Sequence, residues 1–268
     1  MHPSLSATDT VLRMEYVYRP VVMLALGIFK SMGWRIKTIG EENLPERGPA
    51  VLASNHVGYL DFVFIGAAAR NRGRLVRFMA KKEVFDHKVA GPLMRGMKHI
   101  PVDRFGDRRR AVELGVDALR KGEIVGMFPE GTISRSFVPR PGKDGATRMA
   151  IEADAPLIPC AVWGSQRILT KDRPKNYERK VAIDVHIGAP IKWEPGEDAT
   201  AVTARLMASI GELVDRAQRE YPQKPVSDGD SWWLPAHLGG TAPSVEEADR
   251  RAASDREERS RARNTEPD

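Results

Sequence analysis

Between residues 34 and 221 short apolar runs alternate with segments whose apolar positions recur every three or four residues. The runs at 34–39, 50–53, 75–80, 100–102, 124–128, 157–162 and 181–187 read as strands. The unbroken Ala-Val-Leu-Ala of 50–53 is the kind of strand that is covered on both faces. Helices are predicted at 60–69, at 88–95 (interrupted by Gly91-Pro92), at 107–121, at 146–153 and at 199–220. In the third of these Val112, Val116 and Leu119 keep the helical period and Gly122 supplies a stop. Strands and helices in alternation predict an α/β domain: a largely parallel mixed sheet flanked by helices. No internal repeat interrupts the pattern.

The two ends depart from it. Residues 9–32 read as a helix with Thr8 or Asp9 as cap and Gly33 past its end. Val11, Leu12, Met14, Val17, Val21, Val22, Leu24, Leu26, Ile28 and Phe29 cover more of its surface than one core stripe needs, and Arg13, Arg19 and Lys30 edge it with charge. Two readings stay open and are compatible: an amphipathic helix lying in a membrane interface, or a helix packed on the domain. Its apolar run, 20–29, would reach about 15 Å, roughly half a ~30 Å hydrocarbon core. The first thirteen residues show no basic stretch followed by an apolar one, so no signal peptide is expected. Beyond Tyr221, Pro, Gly and Ser accumulate, and 245–268 is a mixed-charge stretch that predicts a disordered or loosely helical tail. Trp232-Trp233-Leu234 is the exception and is expected to dock on the body. The division that follows is an N-terminal helix suited to associate with a membrane (1–33), an α/β domain (34–221) and a charged tail (222–268).

Charge narrows the partners. The 42 Lys and Arg against 36 Asp and Glu give +6 over 268 residues. Residues 222–268 hold 7 basic and 10 acidic residues, a net of −3, so residues 1–221 carry +9. A basic body suits phospholipid headgroups, a phosphorylated small molecule or nucleic acid; no nucleic-acid-binding motif is present, so that partner is not expected. Cys160 is the only cysteine, which excludes an intrachain disulfide and a Cys-rich metal site.

Two segments carry candidate chemistry, each directly after an apolar strand, where parallel sheets present their sites. In Asn55-His56-Val57-Gly58-Tyr59-Leu60-Asp61 the histidine and aspartate are five apart. On a continuous helix they would diverge by about 140°. With His56 in a turn at Gly58 and Asp61 in the first helical turn, the imidazole can fold back onto the carboxylate and act as a general base. The plainer alternative is a satisfied polar turn with Asp61 serving the helix N-terminus. In Phe128-Pro129-Glu130-Gly131-Thr132, Pro and Gly force an irregular turn that exposes backbone amides. No Gly-x-Ser-x-Gly nucleophile elbow exists, and Cys160 falls in an apolar strand as packing.

Together these segments resemble the 1-acyl-sn-glycerol-3-phosphate acyltransferase (lysophosphatidic acid acyltransferase) family. Residues 55–61 match its Asn-His-x4-Asp block, 96–104 look like its second block ending in Arg104, 128–132 match Phe-Pro-Glu-Gly-Thr, and 155–160 are similar to its proline-bearing fourth block. The resemblance implies His56 as base, Asp61 as its partner, and Arg104, Glu130, Gly131 and Thr132 around the acceptor. One departure stands out: Ile133-Ser134 intervenes before Arg135-Ser136, so Arg135 either fills the family arginine's place after a local shift or points elsewhere. Lys82, with Lys81, is a further phosphate candidate or simply a solvated lysine.

The implied reaction moves a fatty-acyl group from acyl-CoA or acyl-carrier protein, a co-substrate, to the free hydroxyl of 1-acyl-sn-glycerol-3-phosphate. Phosphatidic acid is the product; no cofactor or metal is implied. The expected partners are the lysophospholipid, the acyl thioester and an anionic membrane surface, with the protein peripheral on the cytoplasmic face of the cell membrane. The rivals are the same chemistry on another acceptor (a glycolipid, a lyso-ornithine lipid) and a non-enzymatic module binding anionic membranes. A hydrolase would lack its nucleophile.

Overall fold

A computed structural model describes residues 17–103, 108–176 and 178–265. Seven strands form one sheet: β1 (Arg35–Ile39), β2 (Ala50–Ser54), β3 (Val76–Lys81), β4 (Ile100–Val102), β5 (Ile124–Met127), β6 (Leu157–Trp163) and β7 (Ala182–Ile187). Their order is β1-β7-β6-β2-β5-β3-β4. Every pairing is parallel except β6 with β7. The expected fold class, a largely parallel mixed sheet with helices on its faces, is the one observed.

The period-2 alternation of β2 explains its central place. Leu52 faces one core with Phe64, Ile158 and Cys160, while Val51 and Ala53 face another with Met149, Leu157 and Leu206. All five residues of β2 are buried, as an apolar run with helices on both sides requires. Helices α1 (Tyr18–Met32) and α2 (Asp61–Ala69) cover the first face. Helices α3 (Lys82–Asp86) and α4 (Ala90–Gly96) stand beyond β3, and α5 (Arg108–Arg120), α6 (Gly145–Glu152) and α7 (Ala199–Arg219) cover the second face. The helix expected at 88–95 is α4, which runs through Gly91-Pro92 without a break, and α3 is an additional helix just before it. Gly91 permits their close approach, since a Cβ there would come within 2.1 Å of the Phe85 carbonyl oxygen.

Residues 9–16 of the expected N-terminal helix lie outside the described residues. From Tyr18 onward α1 packs on the domain through Tyr18 and Phe29, whose ring stacks on Phe64 at 5.0 Å. Its end is set by Gly33 at φ 69°, with the Trp34 N–H returning to the Phe29 carbonyl at 2.9 Å. Met23, Leu24 and Ile28 remain exposed on the far side, Leu24 at 67%. Among the described residues no helix is long and apolar enough to cross a membrane.

Of the two alternatives for the C-terminal stretch, a disordered or a loosely helical tail, the structure shows a helix, and that helix rests on the body. Trp233 is fully buried, with Tyr221 edge-on at 5.6 Å and the Arg167 guanidinium over its ring at 4.5 Å. Beyond it α8 (Val245–Thr265) is helical. Composition left the choice open because ion pairing here stands in for apolar burial. Among the described side chains of α8, the buried apolar ones are Ala248 and Ala252, one turn apart. Meanwhile Asp249 pairs with Arg140 at 2.5 Å and Asp255 with Arg135 at 2.9 Å and with Lys171. The acidic tail thus lies on part of the basic body.

Candidate active site

The turn after β2 is built by side chains that take over where the strand ladder stops. Asn55 bonds the Val162 backbone twice, donating to its carbonyl at 3.1 Å and accepting its N–H at 2.8 Å, which ties the ends of β2 and β6 together. The Tyr59 N–H donates to the Leu169 carbonyl at 2.9 Å and the Thr170 hydroxyl to the Val57 carbonyl at 2.6 Å. Gly58 is required by this close approach, since a Cβ there would meet Ser165 Oγ at 3.0 Å and the Leu169 carbonyl at 3.1 Å.

Held this way, His56 and Asp61 meet. His56 Nδ1 lies 2.8 Å from Asp61 Oδ2, which also accepts the Val57 N–H at 2.8 Å and the Gly58 N–H at 2.9 Å. Asp61 Oδ1 accepts the Ser165 hydroxyl. Asp61 is fully buried, and the His56 side chain keeps 20% of its surface. The carboxylate fixes the tautomer with Nδ1 protonated and leaves Nε2 as the proton acceptor. The ring lies flat on Phe128, with centroids 4.1 Å apart and planes at 15°.

Glu130 sits behind this pair. Its Oε1 accepts the His56 N–H at 2.9 Å and its Oε2 the Arg140 N–H at 3.0 Å. Burial pushes its carboxyl up to about 8, against the pull of the two amides. The Ser134 N–H donates to the His56 carbonyl at 2.8 Å, so residues 130–140 fasten the histidine turn from both sides.

In front of the pair lies a cleft of about 1470 Å³, lined near His56 by Phe128, Pro129 and Gly131. Deeper walls are apolar, among them Phe62, Phe78, Met127 and Met149, and its rim carries Lys81, Arg109, Lys143 and Arg148 together with Asp103, Asp144, Glu152 and Glu197, with Arg148 paired to Asp144 at 2.6 Å. Long apolar walls beside a charged rim match an amphiphile with a polar head.

Of the residues singled out by sequence, His56, Asp61, Glu130 and Gly131 come together. Thr132 is next to them in sequence but does not line the cleft. Lys82 opens α3 in an exposed position, and it is Lys81 that lines the cleft. Arg104 lies outside the described residues; its neighbours Val102 and Asp103 line the cleft. Arg135, the residue after the two-residue departure, turns away: it is buried, pairs with Asp172 and Asp255, and lines a separate pocket of about 240 Å³ beside α8. Sequence reading missed Ser165, Arg109, Lys143 and Arg148. For Lys143 a signal was present, a lysine directly after the Pro-Gly turn that follows the Glu130 block.

Two other groups are set aside by their surroundings. His99 accepts the Phe78 N–H at 3.0 Å and is driven down to about 4, by burial and then by Arg77, so it stays neutral and structural. Cys160 is buried with its thiol pushed up to about 12 by that burial, which makes it inert. Among the described residues no group of three or more His, Cys, Asp or Glu is arranged to hold a metal ion.

Comparison with known proteins agrees with this geometry. Residues 35–163 match the family model described as Acyltransferase. The chain is 34% identical to the 1-acyl-sn-glycerol-3-phosphate acyltransferase of Bacillus subtilis (strain 168), over 75% of this chain and 94% of that protein. It is 31% identical to a chloroplastic 1-acyl-sn-glycerol-3-phosphate acyltransferase of Brassica napus, over 48% of this chain and 38% of the relative. Among solved structures, the 1-acyl-sn-glycerophosphate acyltransferase PlsC of Thermotoga maritima superposes with a TM-score of 0.65 at 17% identity, over 80% of this chain and 85% of that one. At that identity the likeness is one of fold.

Proposed function

The chain belongs to the 1-acyl-sn-glycerol-3-phosphate acyltransferase family, and from that premise we propose that it acylates the free hydroxyl of 1-acyl-sn-glycerol-3-phosphate to give phosphatidic acid. The observation that carries the reading is the His56–Asp61 pair, 2.8 Å apart and open to a cleft with apolar walls and a charged rim. In this reading His56 Nε2 takes the hydroxyl proton as that oxygen attacks the thioester carbonyl of acyl-CoA or acyl-carrier protein. The C–S bond then breaks, and the departing thiolate takes the proton back from His56. Asp61 balances the imidazolium in between.

The acyl chain lies along Phe62, Phe78 and Met149, and the acceptor phosphate is met by the rim cations, with Arg104 as the further candidate. Gly131 supports substrate at the turn, whereas Glu130 acts through the His56 and Arg140 backbones. The exposed apolar side of α1, between Arg19 and Lys30, holds the enzyme peripherally on an anionic membrane. No cofactor is needed, because the thioester carries the driving force.

The test is thiol release from acyl-CoA with and without 1-acyl-sn-glycerol-3-phosphate. Release that depends on the acceptor supports the reading; equal release in its absence overturns it. The turn of Arg135 away from the cleft favours one second reading, the same chemistry on a lipid with another headgroup. A panel of lysophospholipid, glycolipid and lyso-ornithine acceptors with one donor separates the two.

A further inference from the structure

Ser165 lies outside every segment that carried the sequence-based site, 104 residues beyond the aspartate it touches. It opens the short turn after β6, and the fold delivers it to Asp61 by three independent constraints. Gly164 at φ 97° reverses the chain where a Cβ would come within 2.1 Å of the Ala182 carbonyl oxygen. Gln166 accepts the Gly164 N–H at 2.8 Å and donates to the Trp233 carbonyl at 3.3 Å. Arg167 is held over the Trp233 ring and bonded to Glu178 at 2.5 Å. Ser165 is fully buried by this packing, with its hydroxyl directed at Asp61 Oδ1.

The two oxygens of Asp61 therefore have different duties. Oδ2 serves the imidazole and two backbone amides, while Oδ1 has the Ser165 hydroxyl. A carboxylate can rotate about its Cβ–Cγ bond; the two amides hold Oδ2 near His56 Nδ1, and the Ser165 hydroxyl on Oδ1 restricts the rotation that remains. We propose that Ser165 is a positioning residue for the transfer reaction, setting the rotation of the Asp61 carboxylate and, through it, the orientation and basicity of His56. The proposal rests on the reading of His56 as the base.

The hydroxyl also draws charge from the carboxylate. Without it, Asp61 holds an imidazolium more firmly, so the base stays protonated to higher pH. Ser165→Ala is a small truncation in a packed site, and the expected result on the full chain is a fall in kcat of about tenfold with both KM values within about twofold. The acid limb of the pH–rate profile is expected to move to higher pH. In the His56→Ala background Ser165→Ala is expected to add no further loss.

Thermal unfolding measured alongside reports how much protein is folded. Unchanged kcat, or a loss that is uniform across pH and matched by loss of folded protein, overturns the positioning role. The His56→Ala arm keeps the two readings apart: substantial turnover there removes the base assignment itself. An inactive His56→Ala beside an unaffected Ser165→Ala removes the Ser165 proposal alone.

Discussion

The carboxylate of Glu130 accepts the backbone N–H of His56 at 2.9 Å, so the Phe-Pro-Glu-Gly-Thr segment fastens the turn that carries the histidine. Its carboxyl, pushed up to about 8 by burial, keeps a proton that the unfolded chain has lost. A raised folded value means that stability declines as pH rises from about 4.5 towards about 8. Glu130→Gln is neutral throughout and should lose that slope. It should also cost about 1–3 kcal/mol, because its NH2 end faces one of the two N–H donors. Urea midpoints of both proteins across that window check this; parallel curves would place the proton elsewhere.

His56→Ala should lower turnover by about 10²–10⁴-fold, the usual worth of general-base help, with the fold intact. Asp61→Asn should lose most activity too, since the amide favours the wrong tautomer and cannot balance an imidazolium. With its NH2 turned to His56 the asparagine would also meet the Val57 and Gly58 N–H donors, so a lower melting temperature should accompany it. The double variant should be little worse than His56→Ala. Steady-state kinetics settles the point, and additive losses would separate the two residues' roles.

The sheet and its helices were legible in the sequence because apolar period and Gly stops are local signals. The His56–Asp61 contact was legible as well, since Gly58 announced the turn that lets them meet. What stayed hidden was long-range. Ser165 reaches Asp61 only through the pairing of β6 beside β2, and nothing in Gly164-Ser165-Gln166 advertises that. Arg135 looked like a phosphate ligand, yet its ion pairs are with Asp172 and Asp255, 37 and 120 residues away in sequence. The docking of the tail's helix was hidden for the same reason: composition measures what a segment can bury, not which charges await it.

Arg135 and Lys143 should separate cleanly. Arg135→Ala removes the pairs with Asp172 and Asp255, of which Asp255 keeps Lys171, and should lower stability by about 1–3 kcal/mol while leaving the acceptor KM unchanged. Lys143 lines the cleft, so Lys143→Ala should raise the KM of the anionic acceptor about tenfold, as expected for loss of one charge-assisted contact. A selective rise in acceptor KM for Arg135→Ala would bring that residue back to the substrate.

On α1, Leu24 is exposed whereas Phe29 is buried against the domain. Leu24→Glu should therefore leave the melting temperature nearly unchanged and weaken flotation with anionic vesicles, where an apolar contact becomes a repelled charge. Turnover on acceptor dispersed in detergent should persist. Undiminished vesicle binding would move the membrane contact off this helix.

The C-terminal helix should act as a structural part of the domain. Asp255 bridges Lys171 and Arg135, and hydrogen bonds from those two cations, Lys171 first, hold its carboxyl down at about 2. A depressed folded value gives stability that is present above the unfolded value of about 3.9 and is lost as pH falls through about 2. Asp255→Asn should thus be less stable at neutral pH, by about 1–2 kcal/mol after allowing for its partial exposure, and the gap should close in acid. Removing residues 245–268 takes away the Asp249–Arg140 pair as well. It leaves Arg135, Arg140 and Lys171 without these partners, so the truncated chain should melt several degrees lower. Turnover should fall with it, since the Arg140 N–H is one of the two donors that fix Glu130, and Glu130 fixes His56. A truncated chain with wild-type melting and full turnover would mean that α8 does not rest on the domain in solution. A chain that melts lower yet turns over normally would confine the helix to stability and free the Glu130 link from its influence.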